Sequence, residues 1–170
     1  KVIPHLIKED SPDIIALAQT GTGKTAAFGL PLIQKSNPNV KYVQHLILCP
    51  TRELCLQISN DLAQYSKYDK NIKSTAVFGG ASIERQITII RKGVQIICAT
   101  PGRLLDLIKR KVVKISKIKS VVLDEADEML NMGFRDELEA ILAETPKEKN
   151  TLLFSATMPS EVRKMANRFM

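Results

Sequence analysis

The chain has 170 residues, 44% of them hydrophobic and 25% charged, with no low-complexity tract. That length and composition suit one globular α/β domain and exclude a disordered, collagenous or disulfide-dense chain. A net charge of +7 permits a polyanionic partner without requiring one. No apolar run approaches the roughly 18 residues that span a bilayer and no charged-then-apolar leader opens the chain, so no membrane association and a cytoplasmic location are expected.

The chain starts at Lys1 inside an apolar, helix-like stretch (Val2, Ile3, Leu6, Ile7), so it is expected to be a piece of something longer. Ile14-Ile15-Ala16-Leu17 then reads as a strand. Ala18-Gln19-Thr20-Gly21-Thr22-Gly23-Lys24-Thr25 reads as a loop, and a helix opens behind it. A loop ending in Gly-Lys-Thr ahead of a helix curls its backbone N–H groups around a phosphate. It also sets an ammonium and a hydroxyl where terminal phosphates and Mg²⁺ sit. Ala18 stands where the general pattern opens with glycine, so this is the variant that accepts a small residue at the loop entrance.

After this helix, Leu30 to Gln34 leads into a loop at Ser36-Asn37-Pro38-Asn39. His45 to Cys49 is a buried strand that stops at Pro50-Thr51-Arg52-Glu53, followed by Leu54, Ile58, Leu62 and Tyr65 at helical spacing. Ser74 to Phe78 is a strand ending in Gly79-Gly80. Ser82 is a plausible N-cap for a helix with Ile83, Ile87 and Ile90 on one face. Val94 to Ala99 is a strand closed by Thr100-Pro101-Gly102-Arg103 and a short helix. Lys119 to Leu123 is a strand ending in Asp124-Glu125-Ala126-Asp127, followed by one helix bearing Phe134, Leu138, Ile141 and Leu142. Thr151 to Phe154 is a strand ending in Ser155-Ala156-Thr157, before a helix with Val162, Met165, Ala166 and Phe169 inward.

Six nearly continuous apolar strands alternating with helices are the mark of a mostly parallel sheet covered on both faces. Every polar segment singled out above follows the C-terminal end of a strand, the edge at which open parallel sheets bind ligands. The segments therefore converge on one rim. Cys49, Cys55 and Cys98 lack metal spacing and read as buried reduced thiols, and His5 and His45 give no metal site.

Asp124 directly follows Val121-Val122-Leu123, as an acid placed at a strand end to hold Mg²⁺ would, and Glu125 beside it can orient and deprotonate an attacking water. Acids also gather at helix N-termini because the dipole favours them. Two further classes stay open: a P-loop switch or kinase, although the Asn-Lys-x-Asp guanine reader of a GTPase is absent, and a non-catalytic RNA-binding or scaffold module, which the pairing of Lys24 with Glu125 disfavours.

Ala18 to Thr25, Pro50-Thr51-Arg52-Glu53-Leu54, Gly79-Gly80, Thr100-Pro101-Gly102-Arg103, Asp124-Glu125-Ala126-Asp127 and Ser155-Ala156-Thr157, in that order, resemble the DEAD-box RNA helicases. The resemblance covers nearly the whole chain. It implies a P-loop NTPase (RecA-like) three-layer sandwich, the first of the family's two such domains. The implied cofactors are ATP and Mg²⁺. Lys24 and Thr25 would bind phosphates and Mg²⁺, Asp124 and Glu125 would be the metal-holding and water-activating acids, and Asp127, Ser155 and Thr157 would couple nucleotide state to domain closure.

The same resemblance puts Pro50, Thr51, Arg52, Gly79, Gly80, Thr100, Pro101, Gly102 and Arg103 on segments that hold the RNA sugar-phosphate backbone. Backbone N–H groups, a hydroxyl and arginines suit phosphate oxygens and carry no base information. Taken alone, Gly79-Gly80 is also a plain turn, and Arg52 an ion-pair partner for Glu53 or Asp61. The acid-free run Lys109-Arg110-Lys111, Lys114, Lys117, Lys119 reads as a solvated face on the opposite rim. The upstream glutamine-containing adenine reader and the second domain with its arginines are expected to lie outside the chain, leaving a monomeric, nearly inactive piece.

Overall fold

The computed structural model describes residues 2–8, 11–19, 21–69 and 71–170. Six parallel strands form one sheet: β1 (Ile14–Leu17), β2 (His45–Leu48), β3 (Ser74–Val77), β4 (Ile96–Ala99), β5 (Ser120–Leu123) and β6 (Asn150–Ser155), in the order β1-β6-β5-β2-β4-β3. Every pairing is parallel. All six C-terminal ends therefore meet at one rim, as the placement of the polar segments required.

Helices α1 (Ile3–Leu6), α2 (Lys24–Lys35) and α3 (Arg52–Tyr65) pack on one face. The other face carries α4 (Ile83–Arg91), α5 (Pro101–Lys109), α6 (Ala126–Asn131), α7 (Arg135–Ala143) and α8 (Ser160–Phe169). The inner strands are apolar along most of their length because side chains on both faces meet a helix layer. In β2, Leu46 and Leu48 join one core, while Ile47 and the following Cys49 join the other. All three cysteines are buried free thiols. Cys49 Sγ lies 3.0 Å from Cys55 Sγ, and that contact together with burial holds the Cys49 thiol well above its usual range.

Three elements differ from the sequence reading. β1 is apolar in sequence but an edge strand in space. Ile14 and Ala16 pack inward, whereas Ile15 and Leu17 are 49% and 65% exposed, because no described helix covers that side. The helix opened by Lys24 runs through Pro31 to Lys35, since burial of Phe28, Pro31 and Leu32 offsets the ~3 kcal/mol that an interior proline costs. The single helix expected after Asp127 is two. Gly133 at φ +87° ends α6 in a Schellman motif, in which Phe134 N–H donates to Met129 O and Gly133 N–H to Leu130 O, both at 3.0 Å.

Candidate functional site

In sheet order the shared rim carries residues 18–25 after β1, 155–157 after β6, 124–127 after β5, 50–53 after β2, 100–103 after β4 and 79–80 after β3. The phosphate-type segments thus occupy the β1-β6-β5 half and the segments of glycine, hydroxyl and arginine the β2-β4-β3 half.

The first half opens onto a cleft of about 320 Å³ walled by Gly21, Gly23, Lys24, Thr25 and Ala26, by Asp124 and Glu125, and by Leu54, Gln57, Asp61 and Tyr65 of α3. Gly23 caps α2 at φ +80°, a conformation that an L side chain resists; added Cβ atoms at Gly21 and Gly23 would touch nothing within 4 Å. The loop therefore needs glycine for its backbone, and the space beside it is open. Thr22 Oγ1 donates to Gln19 O at 2.8 Å within the loop, and Ala18 N–H donates to Ser155 O at 3.0 Å, tying the loop to β6. Thr20 lies outside the described residues.

Lys24 reaches back across the cleft floor, its Nζ 3.2 Å from Asp124 Oδ1 and 4.0 Å from Glu125 Oε1. Asp124 hangs from the end of β5, its N–H donating to Leu48 O at 2.8 Å. Burial pushes its carboxyl above the usual range, and the Lys24 ammonium only partly opposes this. Oδ1 is buried, and the charged group facing it among the described residues is the Lys24 ammonium at 3.2 Å. Glu125 is the N-cap of α6 at φ 56°, ψ 52°, left-handed for a non-glycine residue. Such a conformation costs about 1–2 kcal/mol and persists only where the surroundings over-determine it. Burial raises the Glu125 carboxyl, and the neighbouring Asp124 raises it further.

These donors fit a phosphate chain with a hard cation. The loop and Lys24 offer N–H groups and an ammonium, and the buried Asp124 carboxylate at the cleft floor suits Mg²⁺ or one of its waters. No group of three metal-ligating side chains exists among the described residues. The cation would thus lean on phosphate oxygens and water, as Mg²⁺ in phosphoryl-transfer sites does.

Asp127 is the hub of the next segment. Its Oδ2 accepts from Thr157 N–H at 2.9 Å and from Thr157 Oγ1 at 2.7 Å, and its own N–H donates to Ser155 Oγ at 3.2 Å. Burial opposes ionisation of this carboxyl, but the hydrogen bonds from Thr157 and Ser155 win and hold it below the usual range. The ends of β5 and β6 are fastened together one residue beyond Ala126.

In the other half, the Thr51 hydroxyl caps α3 by accepting from Leu54 N–H at 3.2 Å. Arg52 has no ion pair among the described residues; its guanidinium lies over the Phe78 ring at 5.1 Å and about 4.0 Å from where a Cβ at Gly80 would be. Arg103 Nη1 donates to Ala81 O at 3.1 Å and to Gln86 Oε1 at 3.2 Å, and Gln86 Nε2 donates to Phe78 O at 3.0 Å. Pro101 is buried at the start of α5 behind Thr100, whose N–H donates to Val77 O at 3.0 Å, and Gly102 has open space where a Cβ would be. Arg52 thus stands exposed at this end of the rim, whereas Arg103 braces the loop after β3.

A family model described as DEAD/DEAH box helicase matches residues 1–165. The chain belongs to the DEAD/DEAH box helicase family. Among similar proteins, the ATP-dependent RNA helicase CshA of Listeria monocytogenes is 54% identical over 161 residues, which cover 95% of this chain and 31% of that protein. The DEAD-box ATP-dependent RNA helicase CshA of Bacillus subtilis is 51% identical over 158 residues, covering 93% of this chain and 32% of that protein. The chain thus spans about a third of the length of these relatives.

Among solved structures, a DEAD box protein from Methanococcus jannaschii superposes with a TM-score of 0.92 at 44% identity, over 99% of this chain and 46% of that one. A hypothetical ATP-dependent RNA helicase from Sulfolobus tokodaii gives 0.91 at 38% identity, over 100% of this chain and 48% of that one. The α/β sandwich of this DEAD-box chain is accordingly the RecA-like fold.

Within the DEAD-box domain, the sequence reading overlooked four side chains that build the site. Gln57, Asp61 and Tyr65 turn toward the cleft at helical spacing on α3, and Gln86 locks Arg103. Their signal is weak because polar residues on a surface helix look alike whether they face solvent or a cleft. No described helix is long and apolar enough to cross a membrane.

Proposed function

We propose that residues 1–170 form the first RecA-like domain of an ATP-dependent RNA helicase, preceded in the whole protein by the adenine-reading segment and followed by a second RecA-like domain. It would act as a monomer in the cytoplasm. The observation that carries this reading is the Lys24, Asp124 and Glu125 constellation on the floor of the loop-lined cleft. The relatives' names supply the substrate classes, ATP and RNA.

In this reading residues 18–25 cradle the phosphates and Lys24 neutralises the terminal ones. Thr25 and Asp124 hold Mg²⁺, which supplies charge neutralisation at the phosphate oxygens when bound. Glu125 orients the attacking water and takes its proton, a role suited by a carboxyl raised toward neutrality through burial and a neighbouring acid. The Asp127, Ser155 and Thr157 cluster joins two strands of the nucleotide half, so a shift there is passed to both strand ends. Arg52, with the backbone at Pro50, Thr51, Gly79, Gly80, Thr100 and Gly102, holds RNA phosphates without reading bases, and Arg103 supports that surface.

The test is Glu125→Gln in the full-length protein. ATP hydrolysis is expected to fall about 10²-fold or more while nucleotide binding is retained. Unchanged hydrolysis would remove Glu125 from the mechanism.

A further inference from the structure

Every segment used above lies at the C-terminal ends of the strands. At the opposite rim, His45, Ser120 and Asn150 begin β2, β5 and β6 in direct register, so three polar residues sit side by side on neighbouring strands and on one face. They line a cavity of about 640 Å³, twice the volume of the cleft at the P-loop, together with Lys35, Lys119 and Lys149 and, among the described residues, a single acid, Glu148.

His45 is fully buried, and neither ring nitrogen has a hydrogen-bond partner among the described residues. The ring therefore lies beneath the cavity floor, and the cationic groups that line the cavity above it are the lysines. Lys35 Nζ donates to a neutral group, Ser11 Oγ, at 2.8 Å, and none of the three lysines is ion-paired among the described residues. The acid that bears on Lys149 is Asp13, whose Oδ1 already accepts from Thr151 N–H. Burial lowers the Lys35 and Lys149 ammonium groups, and burial with the charges of Lys119 and Lys35 lowers His45 to about 3. Among the described residues, the cavity therefore gathers three ammonium groups against Glu148 in its lining and Asp13 beside Lys149.

We propose that this cavity is a second ligand site, separate from the nucleotide cleft, that binds a small phosphate-bearing anion between Lys35, Lys119 and Lys149, with Ser120 adding a hydrogen bond and the His45 ring lying beneath the floor as its neighbour. Compact ammonium charges suit phosphate as point charges, and a volume of this size admits more than one phosphoryl group. Lys119, read from sequence as part of a solvated basic face, acquires a specific place. The recessed floor favours a small ligand over a nucleic-acid backbone, which would rest on the outer lysines without reaching Ser120.

The chain has two histidines, so the imidazole resonances report this site without ambiguity. Titrating inorganic pyrophosphate into the 170-residue chain is expected to shift the His45 ring signals saturably and leave His5 unmoved. Lys35→Gln/Lys119→Gln should weaken that binding about tenfold or more with an unchanged melting temperature. Lys149→Gln alone should weaken it in the same direction and serves if the double variant folds poorly. The absence of a saturable His45 shift in the millimolar range would overturn the proposal. So would an equal shift from sodium chloride at matched ionic strength, or undiminished affinity in the lysine variants. A shift with oligouridylate but none with pyrophosphate would overturn it in favour of a nucleic-acid surface.

Discussion

Glu125 carries two costs in one residue, a left-handed backbone and a partly buried carboxylate beside a second acid. The carboxyl is raised by burial first and by Asp124 second, with Lys24 opposing both. A raised carboxyl means that the folded chain binds its proton more tightly than the unfolded chain does. The contribution to stability is therefore greatest at acid pH and is lost as pH rises through the usual glutamate value to the raised one. Glu125→Gln removes the charge but keeps the strained backbone. The variant should resist urea better than the native chain at neutral pH, and the difference should shrink as pH falls through the raised value. Parallel urea titrations at neutral and acid pH check this; a gap that widens on acidification would contradict the sign. A residue that costs stability and is kept at the cleft floor is what a catalytic position looks like in thermodynamic terms.

At the scale of elements, the cleft is a product of how closely α2 approaches α3. Gly29 of α2 leaves room for that approach, since a Cβ there would stand 2.8 Å from Leu62 Cδ2 and 3.6 Å from the Tyr65 ring. Gly29→Val should destabilise the domain by about 1–3 kcal/mol and loosen the cleft, because α3 carries Gln57, Asp61 and Tyr65 along its wall. Urea unfolding measures the first effect and weakened nucleotide binding the second. Elements of this kind were legible in the sequence where burial is two-sided. The inner strands announce themselves as unbroken apolar runs, and each is followed by its polar segment. What sequence reading missed is set by tertiary context. Whether Ile15 and Leu17 are covered depends on β1 being an edge, whether Pro31 ends a helix depends on what it packs against, and whether Gly133 interrupts one depends on a two-bond cap. The site divides in the same way. Lys24, Asp124 and Glu125 follow from local pattern, whereas the α3 wall and the Gln86 brace on Arg103 depend on which surface meets which.

For the whole molecule, the charge balance of the cleft sets what this domain can do by itself. The chain is net basic at +7. Yet among the described residues lining the cleft, Lys24 is the one cation against Asp61, Asp124 and Glu125. A triphosphate entering such a cleft meets more negative than positive charge, so binding depends on a divalent cation. The charge that develops on the transferred phosphoryl group also lacks the arginine that phosphoryl-transfer enzymes commonly present to it. In the proposed two-domain enzyme that arginine comes from the second RecA-like domain when ATP and RNA draw the two together. An arginine in this role is worth about 10³–10⁵ in rate, or roughly 4–7 kcal/mol of barrier. Residues 1–170 alone should therefore hydrolyse ATP at least ~10³-fold more slowly than the same residues joined to the second domain. Added RNA should not stimulate them. Steady-state hydrolysis with and without RNA, compared between the two forms at equal concentration, decides the matter. RNA-stimulated turnover by the single domain at the two-domain rate would mean that this rim supplies its own transition-state cation.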